Sequence, residues 1–144
     1  MPISFEKVSY KDLTSRQKEA YNFQKVSALL AEFGYSTIRL TDDWNGADFI
    51  AQHRDGKTFL KAQLKSRLSF YDKYSDKDLY ICFGRPGRWF LYPHDELRDQ
   101  VLAKGLMEGT ESWEDRRGYS FPRLSKLLAE LLEPYRIPAG SYDD

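Results

Sequence analysis

The first periodic segment of the chain has apolar residues at helical spacing. They follow one another at intervals of three, four and three, and they are Phe23, Val26, Leu30 and Phe33. Such a stripe lies along one side of an α-helix. Thr14 and Gln17 form a capping-box pattern before it, so the helix is predicted to begin at Ser15, and Gly34 is typical of the position just beyond a helix end.

Short apolar or alternating runs then replace the helical spacing and predict β-strands. The strands are expected at residues 36–40, on both sides of the Asp55-Gly56 pair within residues 46–67, at 79–83 and at 88–92. Turn-forming residues at 41–46 and a polar, aromatic stretch at 67–77 predict loops.

The last third of the chain returns to helical spacing. A helix is predicted over residues 95–104, followed by a long loop over 107–118 and a final helix from a Ser120 cap to about Glu133. The apolar face of the final helix consists of Leu124, Leu127, Leu128, Leu131 and Leu132. This face is expected to belong to the core, with a dimer surface as the alternative. The order of elements predicts an α/β fold, a mixed β-sheet of about five strands flanked by helices.

The Asp55-Gly56 pair is a strong signal for a two-residue hairpin turn, because glycine accepts the positive φ that a type I′ turn requires. Counting outwards from these two residues places Ile50 opposite Lys61 and Gln52 opposite Phe59. The same register sets which side chains share a face, because successive side chains of a strand point to opposite faces.

Three side chains with complementary chemistry share one face of this hairpin. Asp48 and Gln63 are expected to be cross-strand neighbours, with Cβ atoms about 5 Å apart, and Lys65 lies two residues further along the second strand. A carboxylate, an amide carbonyl and an ammonium gathered in this way can form a site for a divalent metal ion and a phosphate.

Length and composition place the chain in a broad class. Residues 1–144 are predicted to form one domain, with a core over about 15–104 and a C-terminal helix over about 121–133. No run is long and apolar enough for a membrane span, and the N-terminus lacks a signal-peptide pattern, so a cytoplasmic location is expected. Cys82 is the single cysteine, and its apolar neighbours predict a small buried side chain rather than a zinc ligand.

Charge is balanced overall but uneven along the chain. The sequence has 22 Lys and Arg against 22 Asp and Glu. From His53 to Arg88, nine basic residues stand against four acidic ones, a balance of +5, which leaves −5 for the remainder. A basic central segment suits the binding of a polyanion such as nucleic acid. The alternative is that these charged residues are scattered over a solvated surface.

The pattern Gly46-Ala47-Asp48-Phe49-Ile50-Ala51, followed by Gln63-Leu64-Lys65, resembles the motif of the PD-(D/E)xK nuclease superfamily. This is the fold of many restriction enzymes and Holliday-junction resolvases, and the resemblance covers roughly residues 15–93. Two positions differ, because Ala47 stands where the superfamily name has proline and Gln63 stands where Asp or Glu is usual. Some intron-encoded homing endonucleases look similar in having Gln-x-Lys.

The resemblance implies an endonuclease that uses Mg²⁺ or Mn²⁺ to hydrolyse phosphodiester bonds in DNA, with RNA as an alternative. Asp48 and Gln63 would hold the metal ion, and Lys65 would stabilise negative charge or position the attacking water. Glu19 would be a further ligand, because the first helix of the superfamily often supplies an acidic residue. Glu19 is aligned with the core-facing stripe of the helix, and a solvated position in the first turns is the alternative.

Basic residues near the motif are candidates for contacts with the nucleic-acid backbone. They are Lys61, Arg67, Lys73, Lys77, Arg85 and Arg88. Tyr71 and Tyr74 either stack on bases or pack inside the protein. His53 and His94 are expected to be surface or capping residues rather than general bases.

Gln63 leaves other function classes open. Because an amide carries no charge, the metal affinity depends on a further carboxylate from Glu19, Asp42 or Asp43. Without one, a catalytically degenerate nuclease fold would bind nucleic acid or a protein partner, and a partner protein using the leucine face is a third possibility. A chain of this length needs a homodimer or higher homo-oligomer to cut both strands symmetrically, and this is expected for an active enzyme.

Overall fold

The computed structural model describes residues 2–44 and 46–139, with the main chain alone for Asp43 and Trp44. The helices are α1 (Ser15–Ala31), α2 (His94–Ala103), α3 (Glu111–Glu114) and α4 (Lys126–Leu132). The strands are β1 (Tyr35–Trp44), β2 (Ala47–His53), β3 (Phe59–Lys65), β4 (Leu68–Tyr71), β5 (Leu79–Arg85), β6 (Arg88–Pro93) and β7 (Gly118–Phe121). Short 3-10 helices lie at Tyr10–Asp12, Asp72–Tyr74 and Glu133–Tyr135.

Five strands form one mixed sheet in the order β1-β2-β3-β5-β6. The pair β3–β5 is parallel, and the other neighbours are antiparallel. Helices pack on both faces, so the prediction of an α/β fold with a mixed sheet of about five strands is confirmed.

Helix α1 covers one face of the sheet. Thr14 and Gln17 make both hydrogen bonds of a capping box, so the predicted start at Ser15 is confirmed. Val26 and Leu30 are buried in a core cluster with Phe49 and Ala62 of the hairpin. The stripe stops there, because the helix ends at Ala31 and leaves Phe33 exposed.

The opposite face carries a second core cluster. Five different elements contribute fully buried side chains to it, among them Phe70, Ile81, Tyr92, Leu97 and Leu132. Leu128 and Leu132 of α4 are buried in this cluster, so the core interpretation of the leucine face is confirmed for these two residues.

The remaining strands, β4 and β7, form a separate two-stranded sheet that the sequence pattern did not predict. Residues 67–77 and 107–118 were expected to be loops, but they contain β4 and α3, and β7 begins at Gly118. The final helix is capped by Ser125 instead of Ser120, because Ser120 pairs with Ser69 in the small sheet. Strand β1 also continues through most of the expected 41–46 loop, to Trp44.

The hairpin between β2 and β3 has the predicted register but a different turn. Ile50 pairs with Lys61, and Gln52 pairs with Phe59, as expected. A type I′ turn is wrong, because Gly56 has a positive φ of 72° and Asp55 is not among the residues with positive φ. Instead, the Asp55 carboxylate accepts hydrogen bonds from the main-chain N–H groups of Lys57 and Thr58, which lower its pKa to about 2.

The structure also bears on the single cysteine and on membrane spans. Cys82 is fully buried, as expected, and this burial raises the pKa of its thiol. Within the described ranges, no helix is long and apolar enough to cross a membrane.

Candidate functional site

A cleft of about 650 Å³ opens at the end of the main sheet where β2 begins and β3 ends, and α1 forms one of its walls. Its charged lining consists of Lys18, Glu19, Arg39, Asp42, Asp48 and Lys65. Gln63 and Asn22 line the same cleft. The fold therefore brings Asp48, Gln63, Lys65 and Glu19, the four catalytic candidates from the sequence, to one concave surface.

Asp48 lies at an irregularity of the sheet. The register between β1 and β2 shifts between Arg39 and Trp44, so the ladder is interrupted where Asp48 stands. Bulges of this kind re-aim side chains and are common next to active sites. One oxygen of the Asp48 carboxylate, Oδ2, accepts a hydrogen bond of 2.9 Å from the main-chain N–H of Leu64. This bond ties the start of β2 to the end of β3.

Gln63 presents an amide oxygen without a partner. Its Oε1 is buried and accepts no hydrogen bond from the part of the chain that the structure describes. Buried polar atoms nearly always have a partner in folded proteins, because leaving one unpaired costs about 1–3 kcal/mol. An unpaired oxygen at the wall of a polar cleft is therefore available to a water or to a bound group.

The ammonium group of Lys65 lies against two aromatic rings. Its Nζ is 5.2 Å from the ring centroid of Tyr71 and 5.5 Å from that of Tyr74. Lys73 approaches the same two rings, at 5.5 Å and 5.2 Å respectively. Two like charges that converge on one tyrosine pair repel each other, so an anion between or beside them would be stabilised.

A buried histidine supports this tyrosine pair. His94 was expected at the surface or in a cap, but it is 1% exposed and its ring packs at 5.7 Å from the Tyr74 ring. Its Nε2 accepts a hydrogen bond from the main-chain N–H of Tyr71, and its Nδ1 lies 2.8 Å from Oδ1 of Asp95. Burial is the main cause that lowers the pKa of His94. The sequence pattern missed this role because His94 is the first residue of α2, a position that is usually solvated.

Two further carboxylates, those of Glu19 and Asp42, line the cleft. Glu19 is exposed, so the solvated alternative is the correct one, and it still lines the cleft. Asp42 is exposed on β1 and also lines the cleft. The side chain of Asp43 lies outside the described residues.

The donor atoms of the cleft suit a hard cation, because Mg²⁺ and Mn²⁺ prefer carboxylate and amide oxygens. The orphaned oxygen of Gln63 supports such a fit. Among the described side chains, those of residues 2–42 and 46–139, no group of three or more His, Cys, Asp or Glu is close enough to hold an ion. Amide or main-chain oxygens and water would therefore have to complete the coordination.

The six basic residues that were predicted to contact the nucleic-acid backbone lie in three different places. Lys73 shares the tyrosines of Lys65, and Arg67 follows the cleft residue Ser66 and is exposed. Lys61 and Lys77 do not line the cleft; the Lys61 ammonium instead donates to the main-chain carbonyl of Lys77, beside Asp76 and Asp78.

Arg85 and Arg88 form the third group. Both side chains are exposed. The two residues are opposite each other in the β-ladder, where β5 turns into β6. This turn is at the same end of the sheet as Lys65, since Lys65 pairs with Phe83, but neither arginine lines the cleft.

The cleft lining also includes Asn22, Lys18 and Arg39, which were not singled out from the sequence. Asn22 follows Glu19 by three residues, a spacing that places both on one side of α1 and that could have been noticed. Lys18 precedes Glu19, and Arg39 stands on β1 with its guanidinium 5.5 Å from the Phe23 ring. No sequence signal marks Arg39, because its place depends on how α1 packs against the sheet.

Neither a known protein family nor a curated protein sequence matches the chain. Among solved structures, the Holliday junction resolvase Hjc of the archaeal hyperthermophile Archaeoglobus fulgidus is similar, with 18% sequence identity and a TM-score of 0.42. The match covers 51% of this chain and 76% of that chain.

Proposed function

We propose that this chain is a metal-dependent endonuclease that hydrolyses phosphodiester bonds in DNA. One observation carries the proposal: a single cleft is lined by the carboxylate of Asp48, the orphaned amide oxygen of Gln63 and the ammonium of Lys65. These groups offer oxygen ligands for a cation and a positive charge for a phosphate within the same concave surface.

The oxygens of Asp48, Gln63 and Glu19 are the proposed holders of Mg²⁺ or Mn²⁺. A divalent ion, when bound, neutralises charge on a phosphate oxygen and lowers the pKa of a coordinated water. The hydrogen bond from Leu64 N–H fixes the orientation of the Asp48 carboxylate, because it holds one of its two oxygens. Asp48 is therefore preorganised by the main chain of the neighbouring strand.

Lys65 is proposed to bind the scissile phosphate. Its ammonium group donates hydrogen bonds to phosphate oxygens and stabilises the negative charge that builds up on them during hydrolysis. Contact with Tyr71 and Tyr74 limits the freedom of its side chain. Lys73, on the same rings, would contact a neighbouring phosphate of the backbone. A homodimer is proposed for cutting both strands, since the described part of the chain presents one such cleft to the substrate.

A second candidate function is a nuclease-like module that binds nucleic acid without cutting it. The observation in its favour is that the described residues contain no group of three or more His, Cys, Asp or Glu side chains able to hold an ion. Gln63 adds to this, because its amide supplies an oxygen but no charge. The two functions share the basic groups around Tyr71 and Tyr74 and differ in metal dependence.

Plasmid nicking separates the two functions. We expect nicking of supercoiled DNA with Mn²⁺ or Mg²⁺, and none with EDTA. Asp48→Asn and Lys65→Ala should each reduce the rate by about 10²-fold or more, since each removes a group that stabilises charge at the reacting phosphate. Asn at position 48 can still accept the Leu64 N–H bond, so the variant is expected to fold.

Lys57→Ala is the matched control for Lys65→Ala, because Lys57 is exposed in the hairpin turn and does not line the cleft. It should retain the wild-type nicking rate. Binding of DNA that is unaffected by EDTA, with no nicking under any metal condition, would instead assign the chain to the binding module.

A further inference from the structure

We infer that Asn22 is a further cation ligand of the cleft and acts together with Gln63, an inference that rests on the proposed metal dependence. Across the described side chains of residues 2–42 and 46–139, two buried polar atoms lack a hydrogen-bond partner, and they are Asn22 Oδ1 and Gln63 Oε1. Both residues line the same cleft, although one stands on α1 and the other on β3.

The two orphaned atoms are of one chemical kind. Each is an amide oxygen, which accepts hydrogen bonds and ligates hard cations but donates nothing. Two unrelated packing defects would have no reason to fall in one cleft and to involve the same type of atom. A cation bound in the cleft would give both oxygens a partner, and the carboxylates of Asp48 and Glu19 in the same cleft favour a positive ligand.

The position of Asn22 is fixed by neighbours on both sides. Its Nδ2 donates a hydrogen bond of 3.0 Å to the hydroxyl of Tyr10, which leaves Oδ1 as the end of the amide without a partner. The next residue, Phe23, packs its ring at 5.4 Å from the ring of Phe49, which directly follows Asp48. Asn22 and Asp48 therefore flank one aromatic contact that joins α1 to β2.

A ligand role for Asn22 would compensate for the small number of acidic ligands in the cleft. Gln63 stands where Asp or Glu is usual in the motif that the sequence resembles, and no group of three metal-binding side chains of the usual types is found in the described part of the chain. A second neutral oxygen from Asn22 raises the number of ligands without adding charge. The cleft would then hold its ion through mixed carboxylate and amide oxygens, as hard cations accept.

Calorimetric titration of the full chain with MnCl₂, without DNA, tests the inference independently of activity. Asn22→Leu and Gln63→Met keep the side-chain size and remove the oxygen. We expect each to weaken Mn²⁺ binding by about 10-fold or more, in line with the effect of losing groups that tune a metal site. Gln24→Leu is the matched control, because Gln24 is an exposed amide on the same helix outside the cleft, and it should bind Mn²⁺ like the wild type.

Thermal unfolding in EDTA provides a second readout. A residue kept for structure lowers the Tm when it is replaced, whereas Gln63→Met, which removes an unpaired buried oxygen, should leave the Tm of the metal-free protein equal to or above that of the wild type. Asn22→Leu also loses the hydrogen bond to Tyr10, so its Tm should equal or exceed that of Tyr10→Phe, which loses the same bond. If Asn22→Leu does not fold, Asn22→Ala takes its place in both measurements, because alanine suits a helix interior.

The outcomes separate this inference from the proposed function. Wild-type Mn²⁺ affinity in Asn22→Leu, together with weaker binding in Gln63→Met, would overturn the role of Asn22 and leave the metal-dependent cleft in place. Absence of Mn²⁺ binding in the wild type would overturn both. Weaker binding in both variants, but not in Gln24→Leu, would support both.

Discussion

At the scale of single residues, the cleft depends on a short chain of supporting contacts behind Lys65. The ammonium lies against the rings of Tyr71 and Tyr74, and the main-chain N–H of Tyr71 donates to Nε2 of His94. An imidazole nitrogen accepts a hydrogen bond only when it carries no proton. His94 must therefore be neutral, with its proton on Nδ1 towards Asp95, for this support to exist.

Stability should consequently fall as the pH falls below the usual histidine pKa of about 6.5. Burial lowers the pKa of His94 in the folded state, so the unfolded state binds more protons in this range. The contribution of neutral His94 is complete above the unfolded-state pKa and is lost as the pH falls through the folded-state pKa. Urea unfolding between pH 5 and pH 7.5, approximately, measures this slope.

His94→Gln should flatten the pH dependence of unfolding in that window, because a glutamine oxygen can accept from Tyr71 N–H and does not titrate. Its free energy of unfolding should vary less with pH than that of the wild type. An unchanged pH dependence in the variant would show that another group causes the slope.

At the scale of elements, the main chain that leads into β2 packs closely against a side chain that supports the cleft. Gly46 has a φ of 89°, and a Cβ atom added there would lie 2.9 Å from Cδ1 of Tyr74. Tyr74 is buried and is one of the two rings under Lys65, so the backbone just before Asp48 packs directly on the support of Lys65. The glycine is required both by its backbone conformation and by this close approach.

Gly46→Ala should therefore destabilise the fold more than the same change at a glycine with open surroundings. Gly56 is the matched control, since its φ is 72° and nothing lies within 4 Å of an added Cβ. Gly56→Ala should cost about 1–2 kcal/mol for the left-handed backbone alone. Gly46→Ala should cost about 1–3 kcal/mol more, because the Tyr74 ring must move.

Urea unfolding of both variants measures this difference in the free energy of unfolding. Nicking by Gly46→Ala should also be slower than nicking by Gly56→Ala, since displacement of Tyr74 disturbs Lys65. Equal stabilities for the two variants would mean that the contact with Tyr74 has no energetic consequence.

At the scale of the whole molecule, the basic residues divide into those near the cleft and those away from it. The net charge of the chain is zero, so attraction of a polyanion depends on where positive groups lie. Lys73 converges with Lys65 on the same tyrosines, whereas Lys61 donates to a carbonyl beside Asp76 and Asp78. The local excess of positive charge in the sequence is therefore not one continuous surface.

The salt dependence of DNA binding should decrease when Lys73 is replaced and should stay the same when Lys61 is replaced. Lys73→Ala should weaken binding and lower the slope of log affinity against log salt concentration by about 1, because one phosphate contact is lost. Lys61→Ala should leave the slope unchanged. Fluorescence anisotropy with a labelled duplex over a series of NaCl concentrations measures both, and equal slopes for the two variants would contradict this division.

Much of the site followed from local rules. The period of two along each strand and the position of Asp55-Gly56 gave the register of Ile50 with Lys61, even though the turn type was wrong. The register survived because it depends on the number of residues between the strands, and an Asx-type turn of Asp55 uses the same number. The capping box of α1 was equally local, since both partners lie within four residues.

The unpredicted features depend on contacts between distant segments. Strands β4 and β7 have four residues each and pair Ser69 with Ser120, so neither has a periodic pattern long enough to recognise. The environment of His94 was predicted incorrectly for the same reason, because its ring packs against Phe70 of β4 and Tyr74 of the following 3-10 helix.

The sequence by itself determined the α/β order of elements and the face that Asp48, Gln63 and Lys65 share, because side-chain alternation and turn position are short-range properties of the backbone. Only the tertiary structure decided that Glu19 and Asn22 line the same cleft, that tyrosine rings hold Lys65, and that Lys61 lies elsewhere. These placements depend on how α1 and the β4 segment pack against the sheet, and packing is set by the whole set of buried side chains rather than by any local pattern.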